Sequence, residues 1–230
     1  ALHLAGQGYD IALHYNTSRE EAEQTQAEIE QAGAGCSLFQ YNLENAEEAG
    51  SFIENVRQHF PGLCVLINNA SAYAEGRIAE TKPGLFDALF AVNLRAPFFF
   101  TRAFAEKVGS GQVINILDNK IYFNQYPYAA YWLTKRGLAD FTRLAALEYA
   151  PRVRVNAVAP GIILPGEERQ SDYLQWRVEG IPSGEQGSTE HIAQAVQHLL
   201  ENAFISGAVL PVDGGEGINT PGRNAVDYER

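Results

Sequence analysis

The sequence lacks any cluster of lysine and arginine, and its formal net charge is -11. Binding to the phosphate backbone of nucleic acids requires a basic surface, so a nucleic acid is not an expected partner. The apolar runs fall short of the roughly 20 residues that a membrane span requires, and no signal peptide is visible at the start. These absences predict a cytoplasmic protein that binds neither nucleic acids nor membranes.

Cysteine and metal-ligand patterns are also scarce. The two cysteines, Cys36 and Cys64, each lie in an apolar, strand-like run, which predicts two reduced thiols in the core rather than a disulfide. The five histidines are scattered along the chain, with no spacing typical of a metal site. No metal-ligating residues are therefore expected.

Strand-like and helical segments alternate along the chain. Its 230 residues, of which 46% are hydrophobic, suit one domain over residues 1–230. Strand-like runs occur at 9–15, 36–41, 63–68, 112–117, 153–159 and 208–212. Helical patterns lie between them, including 49–60, 84–108, 128–149 and 189–202. This alternation predicts an α/β fold with a doubly wound, mostly parallel sheet and helices on both faces. The polar stretch 162–186 is predicted to be irregular and to form a substrate loop.

Two local patterns predict helix boundaries near the start of the chain. Residues 1–8 are typical of the last turns of a helix that ends at Gly6 or Gly8. Ser18 and Glu21 have the spacing of a capping box, which predicts the start of the next helix.

Tyr131 and Lys135 are the first candidates for chemistry. They are four residues apart on a predicted helix and therefore share one face. A phenol has a pKa of about 10, and a nearby cation favours the phenolate. The pair predicts a proton donor that works near neutral pH, although Tyr-x-x-x-Lys on its own is also compatible with an ordinary exposed pair.

Three further sequence motifs occur in a specific order along the chain. Asn68-Asn69-Ala70 follows a buried strand, Asn93 lies within Val-Asn-Leu of a predicted helix, and glycines follow the last two strands in Pro160-Gly161 and Asp213-Gly214-Gly215. Together with Tyr131 and Lys135, these motifs resemble the short-chain dehydrogenase/reductase family over essentially the entire chain. The resemblance implies a Rossmann-type fold. It also implies an opening strand and a glycine-rich phosphate-binding turn, and this sequence contains neither.

The family resemblance implies roles for the matching positions. Tyr131 would donate a proton, and Lys135 would lower its pKa and bind the nicotinamide ribose. Asn93 would hold a relay water, or alternatively bend its helix by bonding the backbone. The residues expected along the cofactor are Asn69, Ala70, Ser71, Pro160, Gly161 and Ile163, with Gly161 alternatively a simple turn glycine. The family also implies a homotetramer that packs partly through residues 97–108 and 128–149.

The end of the first predicted strand bears on the choice of cofactor. A site for NAD places Asp or Glu there to hold the ribose 2′-hydroxyl. Residues 14–19 contain no acid, and they offer His14, Asn16, Thr17, Ser18 and Arg19. The segment therefore predicts NADPH. Asn42 and Leu43 follow the next strand and are expected near the adenine.

The sequence departs from the family at the position of its usual catalytic serine. Asp118 stands there, thirteen residues before Tyr131. A carboxylate is a poor partner for a developing alkoxide, because two negative charges would adjoin, but it suits the protonation of a nitrogen. Asp118, Tyr131 and Lys135 together resemble the pteridine reductases and dihydromonapterin reductases. Ser71 and Tyr73 support that subgroup, since Tyr73 would stack on a flat pterin.

The sequence leaves three functions open. The first is NADPH-dependent reduction of a C=N bond in a dihydropterin or dihydrofolate, with Ser71, Tyr73, Asp118 and Tyr131 contacting the substrate. The second is reduction of a ketone or aldehyde by an enzyme of the same family. The third is a nucleotide-binding scaffold without catalysis, against which the presence of Asn93, Tyr131 and Lys135 argues.

Overall fold

A computed structural model describes residues 1–164 and 171–218 of the chain. Helices and strands alternate within these ranges. They are α1 (Leu2–Gly6), β1 (Ile11–Tyr15), α2 (Arg19–Gln31), β2 (Cys36–Gln40), α3 (Ala49–His59), β3 (Val65–Asn68), α4 (Pro83–Phe90), α5 (Ala96–Lys107), β4 (Gly111–Ile116), α6 (Ala129–Glu148), β5 (Val153–Pro160), α7 (Ser171–Val178), α8 (Thr189–Glu201) and β6 (Val209–Val212). A π-helical turn, Ala91–Arg95, joins α4 to α5.

The strands form parallel sheets, and the predicted α/β fold is confirmed. One sheet has four strands in the order β3-β4-β5-β6, and the other pairs β1 with β2. Every pairing between these strands is parallel. Within the described residues β1 and β3 do not pair with each other, so the strands form two separate sheets.

The core has a layer of side chains on each face of the larger sheet. Side chains alternate between the faces along a strand, so Val113 and Val155 pack with Phe104 of α5 on one face. Ile114 and Val158 point to the other face and pack with α1 and α8. Helices therefore cover both faces, as the doubly wound prediction requires. No helix in the described ranges is long and apolar enough to span a membrane.

Some local predictions agree with the structure and others do not. Gly8 has a positive φ of 89° just after α1, which is a conformation that favours glycine. Ser18 precedes α2, but its side chain makes no capping hydrogen bond, so the predicted capping box is wrong. Both cysteines are free. Cys36 is half-buried, whereas Cys64 precedes β3 and is exposed, so the prediction of two core thiols fails at Cys64.

The predicted irregular loop contains a helix. Residues 162–186 were expected to have no regular structure, yet α7 occupies their middle. Tyr173 and Arg177 of this helix are buried, and their spacing of four residues places both on one face. The sequence did not predict this helix, because its segment is polar and its buried face includes the charged residue Arg177. Residues 165–170 of the predicted loop lie outside the described residues.

Candidate active site

The candidate catalytic residues gather at the carboxyl ends of the larger sheet. Parallel strands all end at the same edge, so the segments that follow them converge there. Ser71 follows β3, Asp118 follows β4, and α6 carries Tyr131 and Lys135 back across the sheet. Gly161 follows β5 at the same edge. The topology alone therefore brings residues from four segments of the chain into one region.

Asp118 and Tyr131 are in direct contact. The Tyr131 hydroxyl donates a hydrogen bond to Oδ2 of Asp118 at 2.8 Å. The other oxygen, Oδ1, accepts the backbone N–H of Lys120, also at 2.8 Å, which fixes the carboxylate at the start of a 3-10 turn, Asn119–Tyr122. The Tyr131 side chain is buried. The phenol and the carboxylate thus form one hydrogen-bonded unit at the end of β4.

The surroundings of Tyr131 raise its pKa. Burial is the main cause, and the adjoining Asp118 carboxylate adds to it, because both disfavour a phenolate anion. The sequence predicted the opposite direction, since it considered only the cation of Lys135. That ammonium lies 5.8 Å from the centroid of the Tyr131 ring, whereas the carboxylate is hydrogen-bonded to the hydroxyl itself. Tyr131 is therefore held as a neutral phenol that keeps its proton.

Lys135 is a buried cation beside this unit. Its Nζ donates a hydrogen bond to the backbone carbonyl of Ile116 at 3.0 Å. Burial lowers the pKa of Lys135 to about 8, and the opposing charge of Asp118 partly offsets that effect. An ammonium can donate three hydrogen bonds, so the group has donors beyond the one bound to Ile116. Such a group suits the hydroxyls of a bound ribose.

Asn93 connects α6 to the segment that follows β3. It is buried in the π-helical turn, a feature that is frequent at functional sites. Its side-chain oxygen accepts the N–H of Ala72 and its amide donates to the carbonyl of Ala72, both at 2.8 Å. The oxygen also accepts from Ser71 Oγ at 3.2 Å, and the amide donates to Thr134 Oγ1 at 3.3 Å. The side chain thus bonds the backbone, as the alternative interpretation of Asn93 expects.

Tyr73 and Tyr128 form an aromatic wall beside the phenol of Tyr131. The two rings are stacked, with centroids 5.0 Å apart and planes inclined by 23°. The ring of Tyr73 also meets that of Tyr131 edge to face, at 4.8 Å. Tyr73 is 45% exposed, so it retains surface for a ligand. Burial, with a hydrogen bond to Tyr73, raises the pKa of Tyr128 to about 12.

The remaining residues expected along the cofactor lie at the end of β5 and on loops at the same edge. Asn69, Ala70 and Ser71 are exposed after β3. Pro160, Gly161 and Ile163 are half-buried. A Cβ at Gly161 would come within 2.8 Å of Cα of Asp213, so packing against Asp213 is enough to require glycine at this position.

The residues expected at the adenosine end lie on the smaller sheet. Asn16, Thr17 and Ser18 are exposed between β1 and α2. Arg19 forms an ion pair with Glu23 at 2.7 Å. His14 is bonded through Nε2 to the carbonyl of Tyr41 at 2.8 Å. Asn42 accepts the N–H of Glu44 at 3.0 Å, and Leu43 begins the 3-10 turn that follows.

The sequence did not indicate two features of the site. Lys120, two residues after Asp118, donates a hydrogen bond to the Tyr73 hydroxyl at 3.0 Å. Asn119 donates to Glu216 at 2.8 Å, and Glu216 also pairs with Arg177 of α7. Lys120 could have been identified from the sequence, because it lies two residues after Asp118. No local sequence pattern connects Arg177 with Glu216, because the two residues are far apart along the chain.

A parallel α/β fold with a buried phenol and ammonium at the strand ends defines an oxidoreductase of the dinucleotide-binding type. A family model described as "Enoyl-(Acyl carrier protein) reductase" matches residues 1–216. The chain belongs to the short-chain dehydrogenase/reductase family.

Relatives within this family have different substrates in their names. A 3-oxoacyl-(acyl-carrier-protein) reductase from Staphylococcus aureus is 32% identical over 223 residues, which cover 94% of this chain and 91% of the relative. A crystal structure of alternative dihydrofolate reductase 1 (FolM) from Brucella suis with NADP superposes with a TM-score of 0.89, at 28% identity, covering 99% of this chain and 91% of that one. Acetoin dehydrogenase from Salmonella typhimurium superposes with a TM-score of 0.85, at 27% identity and coverages of 97% and 92%.

Proposed function

We propose that this protein is an NADPH-dependent reductase of a C=N bond in a dihydropterin or dihydrofolate. The observation that carries the proposal is the direct 2.8 Å hydrogen bond from the Tyr131 hydroxyl to the Asp118 carboxylate. This contact joins a proton donor to a group that also accepts hydrogen bonds from an amino-pyrimidine ring. The similarity to an alternative dihydrofolate reductase supports the same substrate class.

The electrostatics of the pair favour a nitrogen over a carbonyl oxygen. Reduction of a ketone develops negative charge on oxygen, and Asp118 would repel that charge. Reduction of a C=N bond places the hydride on carbon and requires a proton on the adjacent nitrogen. Tyr131 holds such a proton, because burial and the carboxylate raise its pKa. After Tyr131 donates its proton, solvent supplies a new one to the phenolate, and the hydrogen-bonded Asp118 carboxylate is the adjacent group that would relay it.

NADPH is the proposed cofactor, and it supplies the hydride. The buried ammonium of Lys135 fits a ribose hydroxyl, because it has donors beyond the one bound to Ile116. The exposed segment from Asn16 to Arg19 contains no acid that would repel a 2′-phosphate. The Brucella suis relative was crystallised with NADP. Asn69, Ala70, Pro160, Gly161 and Ile163 line the proposed path of the cofactor.

Reduction of a ketone or aldehyde is the second candidate function. The S. aureus relative is named as a 3-oxoacyl reductase and the S. typhimurium structure as an acetoin dehydrogenase. Such an enzyme would have to tolerate Asp118 beside the developing alkoxide. A scaffold that binds nucleotides without catalysis is the third candidate, and any measurable turnover excludes it.

We propose that the protein works in the cytoplasm as a homotetramer. Large apolar side chains remain exposed on α5 and α6, namely Phe98, Leu133, Leu144 and Leu147. Exposed apolar surface on neighbouring helices suits contact with a second copy of the chain. Sedimentation equilibrium measures the mass of the assembly directly, and a monomer at micromolar concentration would contradict this part of the proposal.

The oxidation of NADPH, followed by its absorbance at constant protein concentration, tests the substrate class. We expect turnover of 7,8-dihydropterins or dihydrofolate at a kcat/KM at least tenfold above that for simple ketones and aldehydes. A preference for ketones would establish the second candidate. The absence of turnover with every substrate, despite NADPH binding, would favour the scaffold.

A further inference from the structure

A positively charged side chain lies against the aromatic wall. Nζ of Lys120 donates to the Tyr73 hydroxyl at 3.0 Å. It also lies 5.1 Å from the ring centroid of Tyr73 and 4.9 Å from that of Tyr128. These distances are in the range of cation–π attraction. The ammonium is therefore placed beside both rings, at the hydroxyl end of Tyr73.

The backbone of Lys120 is anchored by the elements that place the proton donor. Its N–H donates to Asp118 Oδ1 at 2.8 Å, and its carbonyl accepts from Trp132 Nε1 at 2.9 Å. Trp132 adjoins Tyr131 on α6. The backbone of Lys120 is thus fixed relative to the phenol before a substrate binds, and the hydrogen bond to Tyr73 holds the ammonium beside the rings. Such preorganisation favours recognition.

The net negative charge of the protein makes the ammonium of Lys120 important for binding an anionic substrate. The chain has a net charge of -11, which repels an anionic substrate at long range. Carboxylates also lie close to the wall, because Asp118 adjoins Tyr131 and Glu75 contributes to the raised pKa of Tyr128. An anionic group that approaches the wall needs a local cation to offset this repulsion, and Lys120 places one on the wall itself.

We propose that Lys120 is a specificity-determining residue that recognises an anionic substituent, a carboxylate or a phosphate, on the side chain of the substrate. The inference rests on the proposed function, since it places the pteridine ring against Tyr73. The Tyr73 ring lies 5.1 Å from the ammonium and 4.8 Å from the Tyr131 ring. An anionic group bound by this ammonium would lie beside the ring that stacks on the pteridine, so it belongs to a short or folded side chain.

The test compares three dihydropterins that differ in their side chains. These are 7,8-dihydrobiopterin, which is neutral, 7,8-dihydroneopterin monophosphate and dihydrofolate, whose tail carries carboxylates. For the native enzyme we expect a higher kcat/KM with an anionic substrate than with the neutral one. Lys120→Gln should lower this anionic-to-neutral ratio by about tenfold or more, the scale of a charge-assisted hydrogen bond. The phosphate and carboxylate arms show which anion the site takes.

A matched control separates the local cation from the total charge. Lys107→Gln removes the same charge at the exposed end of α5, away from the wall, and should leave the ratio within twofold of native. Salt screens the long-range repulsion by the net negative charge more than it screens a direct contact with Lys120. At high ionic strength the ratio for Lys120→Gln should therefore stay below the ratios for the native enzyme and for Lys107→Gln.

Two outcomes separate this inference from the proposed function. If Lys120→Gln keeps the native ratio with both anionic substrates while dihydropterins are turned over, the inference is wrong and the proposed function stands. If no dihydropterin is turned over, the proposed function fails. Isothermal titration with folate and biopterin then still measures the ratio of Kd values, and equal ratios for the native protein and Lys120→Gln overturn the role of Lys120.

Discussion

The guanidinium of Arg177 lies 2.5 Å from the carboxylate of Glu216, and their side chains are only 3% and 1% exposed. Asn119 donates a second hydrogen bond to Glu216 at 2.8 Å, and the Tyr173 hydroxyl accepts one from Arg177 at 3.2 Å. This buried pair attaches α7 to the 3-10 turn that follows Asp118. Nε of Arg177 is buried without a hydrogen-bond partner among the described residues, so removal of the carboxylate would leave the cation still less satisfied.

Breaking this pair should be strongly destabilising. We expect Glu216→Gln to lower the free energy of unfolding by about 3–5 kcal/mol, because it leaves a buried charge without its partner. Replacement of both residues, Arg177→Met with Glu216→Leu, should recover most of the loss. Chemical denaturation measures both effects. Arg143→Met, at an exposed pair with Asp140, is the control and should cost less than about 1 kcal/mol. A Glu216→Gln protein as stable as native would contradict the argument.

Loss of the Tyr131 hydroxyl should remove the proton donor while keeping the ring. We expect Tyr131→Phe to lower kcat by about a hundredfold or more, the usual scale for the loss of a general acid. Tyr149→Phe, at the far end of α6, is the matched control and should stay within twofold of native. Stopped-flow or steady-state oxidation of NADPH measures both. Near-native turnover by Tyr131→Phe would exclude this tyrosine as the donor.

The contact between Asp118 and Tyr131 could be anticipated from the sequence, whereas its electrostatic effect could not. A strand that ends before Asp118 and a helix that starts before Tyr131 place both residues at one edge of the sheet. The pKa of Tyr131, however, depends on burial and on the contact with Asp118, and neither effect can be read from spacing. The contact of Arg177 with Glu216 was equally hidden, because it depends on how α7 packs on the sheet.

The segment between β1 and α2 should make the enzyme prefer NADPH. Charge-assisted contacts to a phosphate contribute about 1.5–3 kcal/mol, so we expect at least a tenfold higher kcat/KM with NADPH than with NADH. Thr17→Asp introduces a carboxylate into this exposed segment and should reduce or reverse the preference. Glu28→Asp, at an exposed position farther along α2, keeps the charge of the helix and should leave the preference unchanged. Equal kcat/KM values for the two cofactors in the native enzyme would refute the assignment.

The lowered pKa of Lys135 predicts a fall in activity at alkaline pH. Its pKa in the folded protein is about 8, below the ordinary value of 10.5, so Lys135 is a cation below pH 8 and loses its charge above it. We therefore expect kcat/KM for NADPH, which reports groups of the free enzyme, to fall as the pH rises through 8. In Lys135→Arg the cation persists, because the pKa of arginine exceeds 12, and the falling limb should move to higher pH. A native profile that stays flat to pH 9.5 would contradict this assignment.

Replacement of Asp118 by serine should separate the two candidate chemistries. Serine keeps a hydrogen-bonding group beside Tyr131 but removes the negative charge. The variant therefore lacks the carboxylate that suits protonation of a nitrogen, and its site no longer repels an alkoxide. We expect Asp118→Ser to lower kcat/KM for dihydropterins by about a hundredfold, the scale of a general acid–base contribution, and to leave or raise the rate with ketones. Asp118→Asn keeps the shape without the charge and should show the same loss with dihydropterins. Both rates are measured on one preparation of each variant, so a loss of folded protein would lower them together. Dihydropterin reduction that stays intact in Asp118→Ser would contradict the role of Asp118 in protonating a nitrogen and would favour the carbonyl reductase.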